Sequence, residues 1–264
     1  MSDSIQHQFI LDSPPGQITD VYNDIVAIAP VDLTPAFHDH NLLQFIPVEL
    51  PDKDYKIVLS EHTVVDDVLI DQRTNQGYKV NHLTLAVSKD DVVPDSLPQD
   101  RLDYRSSLDK AITDYTASHY PNGVSTVHAT SDNFHMYIVD NKYNSNNFWA
   151  GRWRSYWHIT PDWKLVGLVR VHVHYYEDGN VQLFTDKEYN FSLDSALPPA
   201  QLATAVINHI TKAESQYQTS INHSFNDTAV NTFKSLRRAL PLTRTKIDWP
   251  AIVNYRVGGE LASK

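Results

Sequence analysis

The chain has 264 residues, a formal net charge of −10, 41% hydrophobic and 20% charged residues, and no cysteine. That is enough apolar material for a sizeable core, as one large domain or two modest ones, and it argues against wholesale disorder. The missing cysteines exclude disulfides, thiolate metal sites and cysteine nucleophiles, and no apolar run approaches the ~20 residues of a membrane-spanning helix.

Residues 1–50 read as an N-terminal helical bundle. Met1 to His7 has neither a basic stretch nor an apolar one, so no secretory signal is expected and the expected compartment is the cytoplasm. Phe9, Ile10 and Leu11 run into Pro14-Pro15-Gly16. Ile18, Val21, Tyr22, Ile25, Val26 and Ala29 then recur at helical spacing up to Pro30. A third helix is predicted over residues 35–45. Residues 51–99 read as a small β region, with strands at 55–59, 68–70 and 83–87, a turn at Asn75-Gln76-Gly77 and a polar loop over 88–99. A linking helix within 100–121 carries Leu102, Leu108, Ile112 and Tyr115, and Pro121-Asn122-Gly123 stops it.

Residues 122–194 read as an antiparallel meander of five strands, at 124–130, 134–139, 148–160, 163–176 and 180–193. The connections are short and rich in turn formers: Ser131-Asp132-Asn133, Pro161-Asp162 and Glu177-Asp178-Gly179-Asn180. In the third strand Trp149, Gly151, Trp153, Ser155, Trp157 and Ile159 share one face, and Arg152, Arg154, Tyr156 and His158 take the other. Trp163, Leu165, Gly167, Val169, Val171, Val173 and Tyr175 alternate in the fourth, so one side of the sheet is strongly apolar and needs a cover.

That cover is a long helix within 195–241. After Pro198-Pro199 there is no proline or glycine until Pro241. Leu202, Val206, Ile210, Ala213, Tyr217, Ile221, Phe225, Ala229, Phe233, Leu236 and Leu240 form one stripe at steps of three or four. Forty helical residues reach ~60 Å, whereas five strands make a sheet only ~24 Å wide. A second chain is therefore expected to continue the sheet, pairing with its open edge in an obligate dimer. The alternative is a helix kinked or frayed near His223–Asp227, where Asn and Asp lower helix propensity.

From Lys234 to Arg256 there are six basic residues against one acid, Asp248, on a chain that is otherwise strongly acidic. Such a cluster suits an acidic partner surface. Residues 242–264 form a tail in which Asp248-Trp249-Pro250 reads as a helix start. Trp249, Ile252, Val253 and Val257 make one apolar face, and Gly258-Gly259 ends it. A helix of about ten residues is unstable alone in water, so it is expected to dock on its own domain or in a partner's groove.

Three blocks carry a resemblance. They are Asn147-Phe148-Trp149 with Gly151-Arg152-Trp153-Arg154-Ser155 and Trp157; His174-Tyr175-Tyr176-Glu177-Asp178-Gly179-Asn180-Val181-Gln182-Leu183; and Leu236-Arg237-Arg238 with Leu240-Pro241 and Thr243-Arg244-Thr245-Lys246-Ile247-Asp248-Trp249. In this order they resemble the alpha subunit of the heterodimeric F-actin-capping protein family, over essentially the whole chain. The resemblance implies an α+β fold: an N-terminal helical bundle, a small β region, and a five-stranded antiparallel sheet continued by a beta subunit. One long helix crosses that sheet, and a C-terminal amphipathic tail helix follows. It implies calcium-independent capping of the barbed ends of actin filaments as an obligate alpha/beta heterodimer, in the cytoplasmic actin cytoskeleton at the cell cortex and in actin patches. It places actin contacts on Lys234, Arg237, Arg238, Arg244 and Lys246, and a locking contact on the tail face of Trp249, Ile252, Val253 and Val257. Phosphoinositides and protein regulators of capping are further implied partners. Neither cofactor nor catalytic residue is expected.

The rival readings are weaker. His172 and His174 share a strand face, but two histidines make half a metal site, and they read as sheet-surface residues. Glu177-Asp178-Gly179-Asn180 lacks the alternating oxygens of a calcium loop and reads as a hairpin turn. No metal site, phosphate-binding glycine loop or nucleophilic motif is found, so no enzyme is expected. The tryptophans and arginines of residues 149–163 have the composition of a nucleic-acid stacking platform, but the acidic net charge opposes that reading. Capping of an actin-related filament in a motor-adaptor complex would use the same surface.

Overall fold

The structure, a computed structural model, describes residues 5–91, 97–177, 179–195 and 197–227. The chain divides into two units, Met1–Ala213 and Glu214–Lys264. Three helices open the first: α1 (Ile5–Leu11), α2 (Ile18–Ile28) and α3 (Thr34–Leu43). The helical spacing read in the sequence buries Ile10, Ile25, Leu33, Ala36 and Phe37 together, with Ile18, Val21 and Tyr22 packed against them. Gly16, at φ 80°, turns the chain between α1 and α2 in a backbone region that favours glycine.

Short strands follow: β1 (Pro47–Glu49) with β2 (Lys56–Val58), then β3 (Val64–Val65), β4 (Val68–Asp71), β5 (Gln76–Val80) and β6 (Val87–Lys89) as a four-stranded antiparallel sheet. Two expectations are corrected here. Gln76 and Gly77 begin β5 rather than close a turn. Residues 83–86 form a turn, because the Asn81 carboxamide accepts from the backbone N–H groups of Leu83 and Thr84 at 3.1 and 3.0 Å. A side chain competing for backbone donors overrides the β propensity of the apolar residues around it.

Helix α4 (Gln99–His119) leads into the main sheet: β7 (Val124–Ala129), β8 (Phe134–Asn144), β9 (Trp149–Ile159), β10 (Lys164–Tyr175) and β11 (Val181–Ser192). These strands form an antiparallel meander, each beside its sequence neighbours. The strand β8 runs five residues beyond its expected end, through Asp140–Asn144, and pairs there with Trp149–Trp153. Trp163 lies in the β9–β10 turn at φ 57°, not on the strand face assigned to it; its backbone carbonyl accepts from Leu193 at 2.8 Å.

One face of this sheet is the apolar one expected. Trp157 is fully buried between Ser155, whose hydroxyl accepts the indole N–H at 2.7 Å, and the rings of Tyr189 and Phe191. Gly167 sits in register opposite. A Cβ there would meet the indole Cε3 at 2.1 Å, so the indole occupies the volume a side chain would need. Helix α5 (Pro199–Asp227) supplies the cover: Leu202, Val206, Ile210 and Ala213 are buried, and the Tyr189 hydroxyl donates to the Ala213 carbonyl at 3.0 Å. The rest of the stripe assigned to a helix extending to 241 falls largely beyond residue 227, outside the described residues.

Candidate functional site: the open edge of the sheet

The two edges of the five-stranded sheet differ. On one side β7 is covered by α4 and by the β1–β2 hairpin. The Thr126 hydroxyl accepts from the Val58 N–H at 3.0 Å. The Gln72 carboxamide substitutes for a neighbouring peptide: it donates to the Ala129 carbonyl at 2.7 Å and accepts from the Ala129 N–H at 2.8 Å. On the other side β11 has a hydrogen-bonded neighbour, β10, along one flank only. Its residues are mostly exposed, among them Val181, Leu183 and Phe184, the last at 70%. A twelve-residue strand that pairs along one flank among the described residues and carries a hydrophobic rim is a template for another strand.

The polar face behind this edge is organised by register. Arg152 of β9, His172 of β10 and Phe184 of β11 lie in one row, and Arg154, Arg170 and Asp186 in the next. These arginines are not the solvated face that strand alternation alone suggests. Arg152 is 5% exposed and Arg154 is 2% exposed. They meet the C-terminus of α3, where unsatisfied carbonyls and the helix dipole favour cations. Arg152 donates to the Gln44 side chain at 2.7 Å, Arg154 to the Gln44 carbonyl, and Arg170 to the Leu43 carbonyl at 3.1 Å. Arg154 also donates to the Asp140 and Trp153 carbonyls and the Asn141 side chain. Burial pushes Arg154 well below the usual arginine range, with Arg152 beside it adding to the effect.

The helix end itself is shaped for this role. Phe45 follows α3 at φ 51°, with its N–H on the Leu42 carbonyl and that of Ile46 on the Asn41 carbonyl, the paired bonds of a Schellman turn. A phenylalanine in that conformation is strained. Its ring is held by Tyr137 at 5.0 Å, Tyr156 at 5.9 Å and the Arg170 guanidinium at 5.2 Å.

His172 and His174 are corrected from surface to interior positions, at 7% and 4% exposure. Phe184 stacks on His172 at 3.6 Å, and Gln182 bonds its Nε2 at 2.9 Å. Burial pushes His172 down to about 4. Among the described residues no group of three side chains could hold a metal ion, and no helix is long and apolar enough to cross a membrane.

The basic residues Lys234, Arg237, Arg238, Arg244 and Lys246 and the tail residues Trp249, Ile252, Val253 and Val257 lie outside the described residues. Sequence reasoning predicted an open edge without saying which strand carried it. The signal was present: Asp186-Lys187-Glu188 puts consecutive charges on both faces of β11, a pattern that protects edges and is costly in a central strand.

A family model for the F-actin capping protein alpha subunit matches residues 6–260. The chain belongs to that family. It is 33% identical to the F-actin-capping protein subunit alpha of Neurospora crassa, covering 97% of this chain and 95% of that one. It is 34% identical to the Chaetomium thermophilum protein of the same name, over 98% and 95%, and 32% identical to that of Dictyostelium discoideum, over 97% and 96%. Among solved structures, the homodimeric actin capping protein alpha subunit from Plasmodium berghei superposes with a TM-score of 0.72, covering 89% of this chain and 95% of that one. At 20% identity this likeness speaks for the fold alone. The family match brackets both the open edge and the basic tail.

Proposed function

We propose that this chain is the alpha subunit of an obligate alpha/beta heterodimer that caps the barbed ends of actin filaments and blocks subunit addition and loss there without calcium. The observation that carries the reading is the family match across residues 6–260, which includes every residue of the basic cluster and the tail face. The edge β11, paired along one flank among the described residues, supports the heterodimer half of it, because a strand from a beta subunit would pair along the other and cover Val181, Leu183 and Phe184.

In this reading Lys234, Arg237, Arg238, Arg244 and Lys246 dock on acidic actin, where complementary charge speeds encounter and orients the complex. The apolar face of Trp249, Ile252, Val253 and Val257 then locks into a hydrophobic groove. The same cations suit anionic phosphoinositide headgroups, which would compete with actin. The place of action is the cortical actin cytoskeleton and its patches.

The test is co-expression with a beta subunit, sizing by light scattering, and pyrene-actin elongation from filament seeds in parallel EGTA and calcium arms. A 1:1 complex that stops barbed-end growth equally in both arms is expected. A stable, monodisperse monomer would overturn the heterodimer, and undiminished elongation with a well-formed complex would overturn capping.

A further inference from the structure

Beside the open edge lies a cavity of about 170 Å³ lined by Gln44, Arg152, Arg154, Arg170, His172 and Phe184, with Thr185 and Asp186 of β11 at its outer wall. Three guanidinium groups converge on it, and none is ion-paired among the described residues, where the arginine pairs are Arg73–Asp109 and Arg105–Asp109. Asp186 and Asp140 act through charge on Arg170 and Arg154, but neither forms an ion pair with them among the described residues. Asp140 offers Arg154 its backbone carbonyl, while its own Oδ1 is buried with no hydrogen-bond partner. Asp186 is in register with Arg170 but exposed on the edge strand.

The donors are unevenly used. Arg154 makes four hydrogen bonds, one to Gln44 at the end of α3 and three to Asp140, Asn141 and Trp153 of the sheet. Arg152 donates to Gln44 and also interacts with the Tyr143 hydroxyl, and its buried Nε has no partner. Arg170 spends one N–H on Leu43. A guanidinium has five donors in a planar fork suited to a carboxylate, and a buried cation without an anion is costly.

We propose that Arg170, with Arg152 behind it, receives a carboxylate side chain carried by the strand that pairs with β11. The proposal rests on the reading that β11 is completed by a beta subunit. Reach selects Arg170: a strand laid on β11 runs about 10 Å from β10, a gap that an arginine and a glutamate extended toward each other close, whereas Arg152 on β9 lies one strand further in. The chemistry at the mouth favours a side chain on a polypeptide over a free anion. Phe184, 70% exposed, forms an apolar rim that a second chain would cover and a hydrated ion would not. Asp186 at the wall opposes a phosphate dianion more than a singly charged carboxylate.

The experiment uses the co-expressed alpha/beta complex. Arg170→Gln is expected to raise the subunit dissociation constant ten-fold or more, with Arg170→Lys recovering part of the loss because it restores charge without the fork. Asp186→Asn, a change at an exposed position, is expected to tighten subunit association several-fold by removing a competing acid. A crystal structure of the complex is expected to place an Asp or Glu oxygen of the partner within hydrogen-bond distance of Arg170. Unchanged affinity in Arg170→Gln, weakened association in Asp186→Asn, or a cavity holding only water would overturn the proposal. Thermal stabilisation of the wild-type complex by phosphate over chloride at equal ionic strength, abolished by Arg170→Gln, would also overturn it in favour of a free anion. If the wild-type chains do not associate at all, the heterodimer reading fails instead.

Discussion

Trp157 and Gly167 show how a single pair fixes the apolar face of the sheet. Because a Cβ at position 167 would meet the indole at 2.1 Å, Gly167→Ala is expected to destabilise the complex by about 1–3 kcal/mol through overpacking. Trp157→Ala, which empties a fully buried site, is expected to cost about 3–5 kcal/mol. The two effects should not add. With the indole gone the alanine at 167 has room, so the double variant should be nearly as stable as Trp157→Ala alone. Denaturant unfolding of the four proteins closes this cycle, and strict additivity would mean that the indole does not occupy the space above Gly167. The alternation of β9 made Trp157 legible in the sequence. What alternation could not convey was the fate of the opposite face. Arg152 and Arg154 are buried by a helix end more than a hundred residues earlier in the chain, and no local pattern reports a contact that distant.

At the scale of elements, β7, β8 and β9 align His128, His135 and His158 in one row, with His62 stacked on His135 at 3.6 Å. Tyr137 bonds His62 and Tyr156 bonds His135. Gln72 bonds His128, and Glu61 and Arg105 lie close enough to act on the row. Burial, and then the neighbouring histidines, push His135 down to about 3 and His128 down to about 4. An unfolded histidine titrates near 6.5. Below that value the unfolded chain therefore binds protons the folded one refuses, and stability falls as pH drops from about 6.5 toward 4, by about 1.4 kcal/mol per pH unit for each such histidine. Melting temperature measured from pH 7.5 to 4.5 should decline over this window, and His135→Gln should flatten the slope. A flat profile in the wild type would mean these rings are charged when folded. The five strands themselves were readable because turn residues punctuate them. The polar end of β8, Asp140–Asn144, was missed because it has no apolar alternation and is a strand only through its pairing with β9.

For the whole molecule, the decisive asymmetry is electrostatic: six basic residues between Lys234 and Arg256 on a chain of net −10. Under the proposed function, Arg238→Ala with Arg244→Ala should weaken capping strongly while leaving assembly and melting unchanged, with much of the loss in the association rate. Salt should bring the wild type toward the variant, since the screening length falls to about 3 Å at 1 M. Removing residues 249–264 should instead speed dissociation, because apolar contacts made after docking govern the off-rate. Elongation kinetics and melting on the same preparations separate these outcomes, and unimpaired capping by the double variant would remove Arg238 and Arg244 from the site.

The unequal edges of the sheet set a limit on growth. Among the described residues, Gln72 and the β1–β2 hairpin close one side at β7, which leaves β11 as the edge open to a partner. Under the proposed function, a partner with one open edge of its own would join there, and the pair would keep no open edge. Nothing remains for a third strand to extend, and a contact that in an unguarded sheet would propagate into a fibre here terminates after one event. In sedimentation, the assembly should show one boundary at the mass of two chains, with no ladder of heavier species at any concentration.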